Sequence, residues 1–238
     1  MKNTQGAAPY IKGFPVFEGL NCDESRKLGY VVVEKAFHPK QLIFSAADVV
    51  EYVYLVREGR VKLYRQTEDG RENIIAILGA GDVFGEFIFG EETCHSVYAE
   101  AFDTALICIL PHQKFMQMLL NEPSIAIKIL TNVGRRLAQS AYFIEHLSTY
   151  NLKLRFAKLL LYLASTHARS QSDPAVLDIR LTHQDLAYMV ATSRQTATEL
   201  MNQFKKDGLA SYEGRHIVVM RTALEAWVRK HSHELSTA

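Results

Sequence analysis

Residues 124–147 read SIAIKILTNVGRRLAQSAYFIEHL, and the rest of the chain is organised around them. Their apolar side chains recur at alternating spacings of four and three residues, the pattern of a helix that packs along a partner helix. Pro123 falls in the first turn, where a missing N–H does no harm, and Asn121 precedes it as a candidate cap. The resulting heptad seam, in which only Ser140 is polar, consists of Ala126, Leu130, Val133, Leu137, Ser140, Ile144 and Leu147.

Such a seam either packs on its own domain or pairs with a second copy of the chain. We favour pairing, because the helix separates two unlike regions, with strands before it and a helical domain after it. The expected dimer interface is formed by Leu130, Val133, Leu137, Ile144 and Leu147.

The region before the helix is rich in short β-type runs separated by turn signals. Strands at this density predict an antiparallel sandwich or roll. Two of the runs flank Arg57-Glu58-Gly59, so residues 52–64 are expected to form a hairpin. The predicted strands are Val31–Val33, Gln41–Phe44, Tyr52–Val56, Arg60–Tyr64, Asn73–Leu78 and Ala105–Leu110.

The region after the helix predicts a helix over 152–167 and a short strand over 176–179. The next stretch, residues 181–209, reads LTHQDLAYMVATSRQTATELMNQFKKDGL. A capping box at Thr182–Asp185 and a cap at Ser193 open two short helices, and a hairpin follows, which is the layout of a winged helix-turn-helix. Another capping box, Thr222-x-x-Glu225, predicts a last helix. The expected buried face of the helix pair is Leu186, Val190, Leu200 and Phe204.

The second helix of this pair begins with the residue types that read DNA. Arg194 has the geometry to pair with guanine and Gln195 with adenine, while hydroxyls and helix-start N–H groups hold phosphate. A small helical pair with polar helix starts is the plain alternative, but the hairpin, the caps and the charge all favour DNA binding. The candidate DNA-binding residues are Thr182, Ser193, Arg194, Gln195, Thr196, Thr198 and Glu199.

Charge and composition are consistent with DNA binding by the C-terminal region. Residues 1–149 carry 15 Lys and Arg against 18 Asp and Glu, whereas residues 150–238 carry 12 against 8. The 3 cysteines lack cluster spacing, the histidines lack metal-ligand spacing, and no apolar run spans a membrane, so we expect a cytoplasmic protein without a metal site, its cofactor unknown.

Residues 181–209 resemble the output domain of the cyclic AMP receptor protein/FNR family of bacterial transcription regulators. Residues 54–64 (YLVREGRVKLY) and 81–87 (GDVFGEF) are similar to the sensor roll of that family. The resemblance implies an α+β protein: an N-terminal β-roll (a double-stranded β-helix) over residues 1–120, a long dimerisation helix over 121–148, and a winged helix-turn-helix domain over 149–238. It further implies a homodimer, double-stranded DNA with a pseudo-palindromic operator, RNA polymerase as a further partner, a small-molecule effector, and no enzyme activity.

Two residues depart from the family pattern at the reading surface, and a third departs in the turn before it. Arg194 matches a position that contacts DNA in the family, but Gln195 stands where many members have Glu, and Glu199 where many have Arg. The operator is therefore expected to differ from the usual one. Ala191 replaces a glycine in the turn, which costs about 1 kcal/mol if that backbone is left-handed.

The resemblance also implies an effector pocket. Gly85 and Glu86 match, the latter being the ribose-binding position, whereas His95-Ser96 replaces the Arg-Ser pair that binds the cyclic phosphate. Because a permanent guanidinium charge is lost, a cyclic nucleotide is disfavoured. The candidate pocket comprises Gly85, Glu86, Phe87, Cys94, His95, Ser96 and, on the long helix, Ser140.

Two alternatives stay open at this point. Cys94-His95 offers ligand types for a haem- or redox-dependent sensor, although neighbouring strand residues point to opposite faces. The other alternative is a cyclic-nucleotide-binding regulatory module of an enzyme, against which the winged domain argues.

Overall fold

The computed structural model describes Phe14 and residues 32–68, 70, 72–85, 94–147, 151–170 and 172–234; for residues 135–136, 139–147 and 233–234 it describes the backbone alone. The chain divides into two compact units, Met1–Arg136 and Leu137–Ala238. The boundary falls inside the long helix, which contributes residues to both units. The three-part division made from the sequence stays a prediction.

The first unit contains two four-stranded antiparallel sheets, with strand orders β1-β8-β3-β6 and β2-β7-β4-β5. This arrangement confirms the predicted roll. The strands are β1 (Val33–Phe37), β2 (Leu42–Phe44), β3 (Tyr52–Glu58), β4 (Val61–Gln66), β5 (Glu72–Leu78), β6 (Val83–Phe84), β7 (Tyr98–Ala101) and β8 (Ala105–Pro111).

Strand β3 is buried on both faces because its alternating side chains serve two apolar clusters. Tyr54 and Val56 join the inner cluster, which combines residues of both sheets. Val53 and Leu55 join an outer cluster between the first sheet and the helices that follow it. Burial on both sides explains why this strand reads as a nearly continuous apolar run.

The hairpin expected over residues 52–64 is wrong. β3 pairs with β6 and β8, whereas β4 pairs with β5 and β7, so the chain changes sheets at the turn between them. Gly59 has φ +76, and a Cβ there would lie 2.2 Å from the Thr104 carbonyl oxygen. The Arg60 N–H donates to the Asp103 carboxylate at 2.6 Å, which fixes this corner of the roll.

Two helices follow the roll: α1 (His112–Asn121) and α2 (Pro123–Leu147). Pro123 opens the long helix as expected, but Asn121 ends the preceding helix instead of capping this one. Ile125 and Ile129 in the first part of α2 are buried in the outer cluster of the roll. The sequence therefore placed the long helix well and missed α1. No helix in the described part of the chain is long and apolar enough to cross a membrane.

The second unit continues with helices and a three-stranded sheet of order β10-β11-β9. The predicted strand over 176–179 is shorter than expected and begins one residue earlier. The elements are α3 (Leu152–Thr166), β9 (Ala175–Val176), α4 (His183–Met189), α5 (Arg194–Lys206), β10 (Ala210–Glu213), β11 (His216–Val219) and α6 (Arg221–Glu234).

The last helix begins differently from its predicted capping box. It starts at Arg221, and the N–H groups of Arg221 and Thr222 donate to the Asp173 carboxylate at 2.8 and 2.9 Å. The cap thus comes from a residue 49 positions earlier in the chain, which local spacing does not reveal.

Candidate nucleic-acid interface and sensor site

The helix pair α4 and α5 has the capped, tightly turned geometry that the sequence predicted. Thr182 and Asp185 form a reciprocal capping box, and Ser193 caps α5 by accepting the Thr196 N–H at 3.1 Å. Ala191 between the helices has φ 52, so the turn is left-handed and carries the strain anticipated for a residue with a Cβ.

The buried face of the pair differs from its prediction at one position. Leu186, Val190 and Phe204 are buried, but Leu200 is only half-buried, and Met201 at 1% exposure takes its place. Ala197, Met201 and Phe204 recur at i, i+4 and i+7 and form the buried stripe of α5. The start of α5 is open to solvent.

The open start of α5 carries the candidate base-reading residues. Ser193, Arg194, Gln195 and Glu199 are exposed. The Gln195 side-chain amide donates one of its two hydrogens to the Glu199 carboxylate at 3.1 Å, so its carbonyl oxygen and its second N–H are left for DNA. An acceptor there suits the amino group of cytosine or adenine, while Arg194 keeps donors for guanine.

The two threonines of α5 make contacts inside the protein. The hydroxyls of Ser193 and Thr196 lie 2.8 Å apart, and Thr198 donates to the Arg194 carbonyl at 2.8 Å. These hydroxyls shape the helix start. The wing follows, with Glu213 and Arg215 exposed on either side of Gly214.

At the sensor site, the structure separates Cys94 from His95 as the strand alternation predicted. Cys94 is exposed, whereas His95 is 3% exposed inside the roll. Ser96 accepts a hydrogen bond from the Arg65 guanidinium at 3.2 Å, a cation that the sequence analysis did not connect with this site. Gly85 is buried with φ +109, and a Cβ there would lie 2.9 Å from the Tyr52 carbonyl oxygen. Glu86, Phe87 and the side chain of Ser140 lie outside the described residues.

Aromatic rings surround His95. Its imidazole stacks on Phe44 with centroids 3.7 Å apart, and Tyr54 stacks on Phe84 at 5.2 Å. Tyr54 also lies 6.4 Å from His95, so the four rings form one cluster. Burial raises the pKa of Tyr54 to about 12, which keeps its hydroxyl protonated as a donor. Where the family has its phosphate-binding Arg, this chain therefore has the buried imidazole of His95, which packs against aromatic rings.

The long helix presents part of its seam to solvent. Leu130, Val133 and Leu137 are 60%, 45% and 70% exposed, although they are large and apolar. Ile127 beside them is 64% exposed. A row of exposed apolar side chains at heptad spacing is typical of a helix that packs against a partner surface.

A β-roll of the cyclic-nucleotide-binding type followed by a winged helix-turn-helix defines a DNA-binding transcription regulator. Two family models agree: a cyclic nucleotide-binding domain matches residues 34–122, and a Crp-like helix-turn-helix domain matches residues 154–227. The chain belongs to the cyclic AMP receptor protein/FNR family of transcription regulators.

Curated relatives with different regulatory roles are similar to this chain. The cAMP-activated global transcriptional regulator CRP of Pasteurella multocida is 29% identical over 184 residues, 77% of this chain and 88% of that protein. The global nitrogen regulator of Synechococcus elongatus is 28% identical, with 77% and 83% covered. The fumarate and nitrate reduction regulatory protein of Vibrio cholerae is 26% identical, with 86% and 82% covered. These relatives are regulators and not enzymes.

Solved structures show the same fold. FixK2 from Bradyrhizobium japonicum has a TM-score of 0.71 at 22% identity, with 82% of this chain and 96% of that chain covered. The c-di-GMP-responsive regulator CLP of Xanthomonas campestris has a TM-score of 0.69 at 22% identity, with 80% and 94% covered.

Proposed function

We propose that this protein is a homodimeric, sequence-specific transcription regulator that reads a pseudo-palindromic operator. Two copies pair through the α2 seam, and the two α5 helices then enter major grooves about one helical turn apart. The observation that carries the proposal is the open start of α5, where Arg194 and Gln195 are exposed behind the Ser193 cap. As a DNA regulator it works in the cytoplasm, with RNA polymerase as its further partner.

The exposed seam supports the dimer. Complete burial of a Leu or Val side chain contributes about 1.5–3 kcal/mol, while association costs about 4–15 kcal/mol. Leu130, Val133 and Leu137 are already more than two-fifths exposed, so burying them in both copies gives about 5–10 kcal/mol. This gain from burial is about equal to the cost of association. The proposed interface therefore also includes Ile144 and Leu147.

The effector is proposed to be a small molecule other than cyclic AMP, bound in the roll near Gly85, His95 and Ser96. His95 lacks the fixed charge of the family's Arg and is packed among Phe44, Tyr54 and Phe84. The relatives respond to different signals, so family membership alone does not name the ligand. Binding would act by population shift, favouring one arrangement of the paired helices.

DNA reading is tested by Arg194→Ala. We expect the loss of about 1–3 kcal/mol of binding to a duplex that wild-type protein selects from a randomised library, measured by fluorescence anisotropy. Arg229→Ala is the control, because Arg229 is an exposed arginine of the same unit that pairs with Glu225 at 3.5 Å. Equal losses in both variants would contradict the recognition-helix assignment.

The dimer and the effector are tested together by native mass spectrometry of freshly purified protein. The expected mass is that of two chains, with or without a retained small molecule. A retained haem would add its mass to the measured complex and give a Soret band in the absorption spectrum. Both results would favour the haem-sensing alternative. A monomer at micromolar concentration would refute the pairing.

A further inference from the structure

The His183 side chain connects three elements of the winged domain. His183 is the first residue of α4, and its Nε2 lies 2.7 Å from the Tyr212 hydroxyl on β10. Its Nδ1 lies 2.8 Å from the Thr198 hydroxyl on α5. Thr198 is also 2.8 Å from the carbonyl oxygen of Arg194. Four groups thus form one hydrogen-bonded chain from the wing to the first residue of the recognition helix.

The hydrogen-bond directions along this chain follow from the chemistry of its groups. The Arg194 carbonyl only accepts, so the single hydroxyl hydrogen of Thr198 points to it. His183 Nδ1 must then donate to the Thr198 oxygen, and in the neutral ring Nε2 accepts from Tyr212. With the Thr198 hydrogen directed to Arg194, the ring carries its hydrogen on Nδ1, and hydrogen bonds at both ring nitrogens hold its orientation.

The location of this hydrogen-bonded chain indicates a role beyond holding the three elements together. Arg194 at one end is the principal base-reading candidate, and its backbone receives the last hydrogen bond. Tyr212 at the other end is 38% exposed and comes directly before the wing turn that carries Arg215. The connected groups therefore link the backbone that carries Arg194 to the strand that leads into the Arg215 turn.

We propose that His183 is a positioning residue for DNA binding, which holds the wing at a fixed place relative to the start of the recognition helix. Thr198 accordingly positions α5 and does not read a base. Arg215 and Tyr212 join the DNA-binding surface through the wing. This inference rests on the proposed sequence-specific binding, since a fixed spacing matters for one operator geometry and matters little for binding to any duplex.

Two matched variants remove single hydroxyls from the chain and leave volume almost unchanged. Tyr212→Phe removes the donor to His183, and Thr198→Val removes the link to Arg194. We expect each to lower the ratio of affinities for the selected duplex and a random duplex about threefold to tenfold. Thr198→Ser keeps the hydroxyl and should restore the wild-type ratio. Tyr98→Phe, a hydroxyl deletion in the sensor roll, is the control.

The double variant Tyr212→Phe/Thr198→Val separates the proposal from a purely structural role. Because both residues act through one imidazole, the double variant should lose little more than the larger single loss. Additive losses would overturn the shared route through His183. Lower melting temperatures with an unchanged affinity ratio would overturn the positioning role. If wild-type protein itself prefers no duplex, the proposed sequence-specific function fails instead, and that outcome is recognised before any variant is measured.

Discussion

Replacing Leu137 by Asp should convert the protein from dimer to monomer. Leu137 belongs to the α2 seam and is 70% exposed in the single chain, so the substitution disturbs no core of the isolated protomer. Asp in the middle of a helix costs less than about 1 kcal/mol of folding stability. The effect is therefore expected in association, with little change in the stability of the fold.

The size of the effect follows from the exposed fraction. Covering the exposed part of Leu137 stabilises a dimer by about 1–2 kcal/mol per copy, or about 2–4 kcal/mol in total. Two carboxylates about 7 Å apart across the seam repel by about 2 kcal/mol at an effective dielectric constant of about 20. Partial desolvation of each carboxylate adds about 1–3 kcal/mol. The sum of about 6–12 kcal/mol raises the dissociation constant by at least about four orders of magnitude.

Light scattering coupled to size-exclusion chromatography measures the outcome at micromolar protein. Circular dichroism should show wild-type helix content in the Leu137→Asp protein. Val33→Asp is the control, because Val33 is similarly exposed at 62% but lies on β1 and outside the seam. A Leu137→Asp protein that still elutes as a dimer would show that α2 is not the contact between copies.

Three further substitutions test individual features of the second unit. Glu199→Gln removes a negative charge from the reading surface, so affinity for a random duplex at low salt should rise about threefold in anisotropy titrations; no change would place Glu199 away from the phosphates. Ala191→Gly relieves the left-handed strain at φ 52, and after the entropic cost of glycine the free energy of unfolding in urea should rise by up to about 0.5 kcal/mol, whereas a decrease would contradict the strain. Asp173→Ala removes the cap of α6. Hydrogen bonds from the Thr222 side chain and backbone hold the pKa of Asp173 below its ordinary value, so its stabilisation is present above about pH 4 and is lost as pH falls through the lowered pKa. Thermal melts of wild type and variant should therefore differ near neutral pH and converge in acid; a difference that does not depend on pH would refute the charge-assisted cap.

The sequence predicted best those elements whose signals are local. The capping box at Thr182, the cap at Ser193 and the long helix from Pro123 each depend on residues within one or two turns, and the structure has them all. Strands β6 and β7 were missed: β6 has only two residues, and β7 alternates small and polar side chains. Their position comes from pairing with distant strands, which periodicity does not report.

Nonlocal pairing also explains the larger errors. The turn at Gly59 was predicted correctly. Whether a turn joins two paired strands or two different sheets depends on its tertiary contacts. Here the contact is made by Asp103, which is distant in the sequence. In the same way Asp173 caps α6 across the domain. The His183 contacts with Thr198 and Tyr212 span 15 and 29 positions, and a lone histidine at a helix start gave no signal of them.

A short strand provides the physical route by which an effector in the roll would reach α2. β6 has two residues, and their side chains serve different clusters. Phe84 belongs to the inner cluster and stacks on Tyr54, beside the rings of Phe44 and His95. Val83 belongs to the outer cluster, together with Ile125 and Ile129 of α2. Close-packed protein interiors are nearly incompressible and transmit strain. A ligand that displaces Phe84 therefore also displaces Val83 and the part of α2 in the same cluster. The exposed seam lies on an adjacent face of that same helix, so the proposed control of dimer geometry can act through α2 alone.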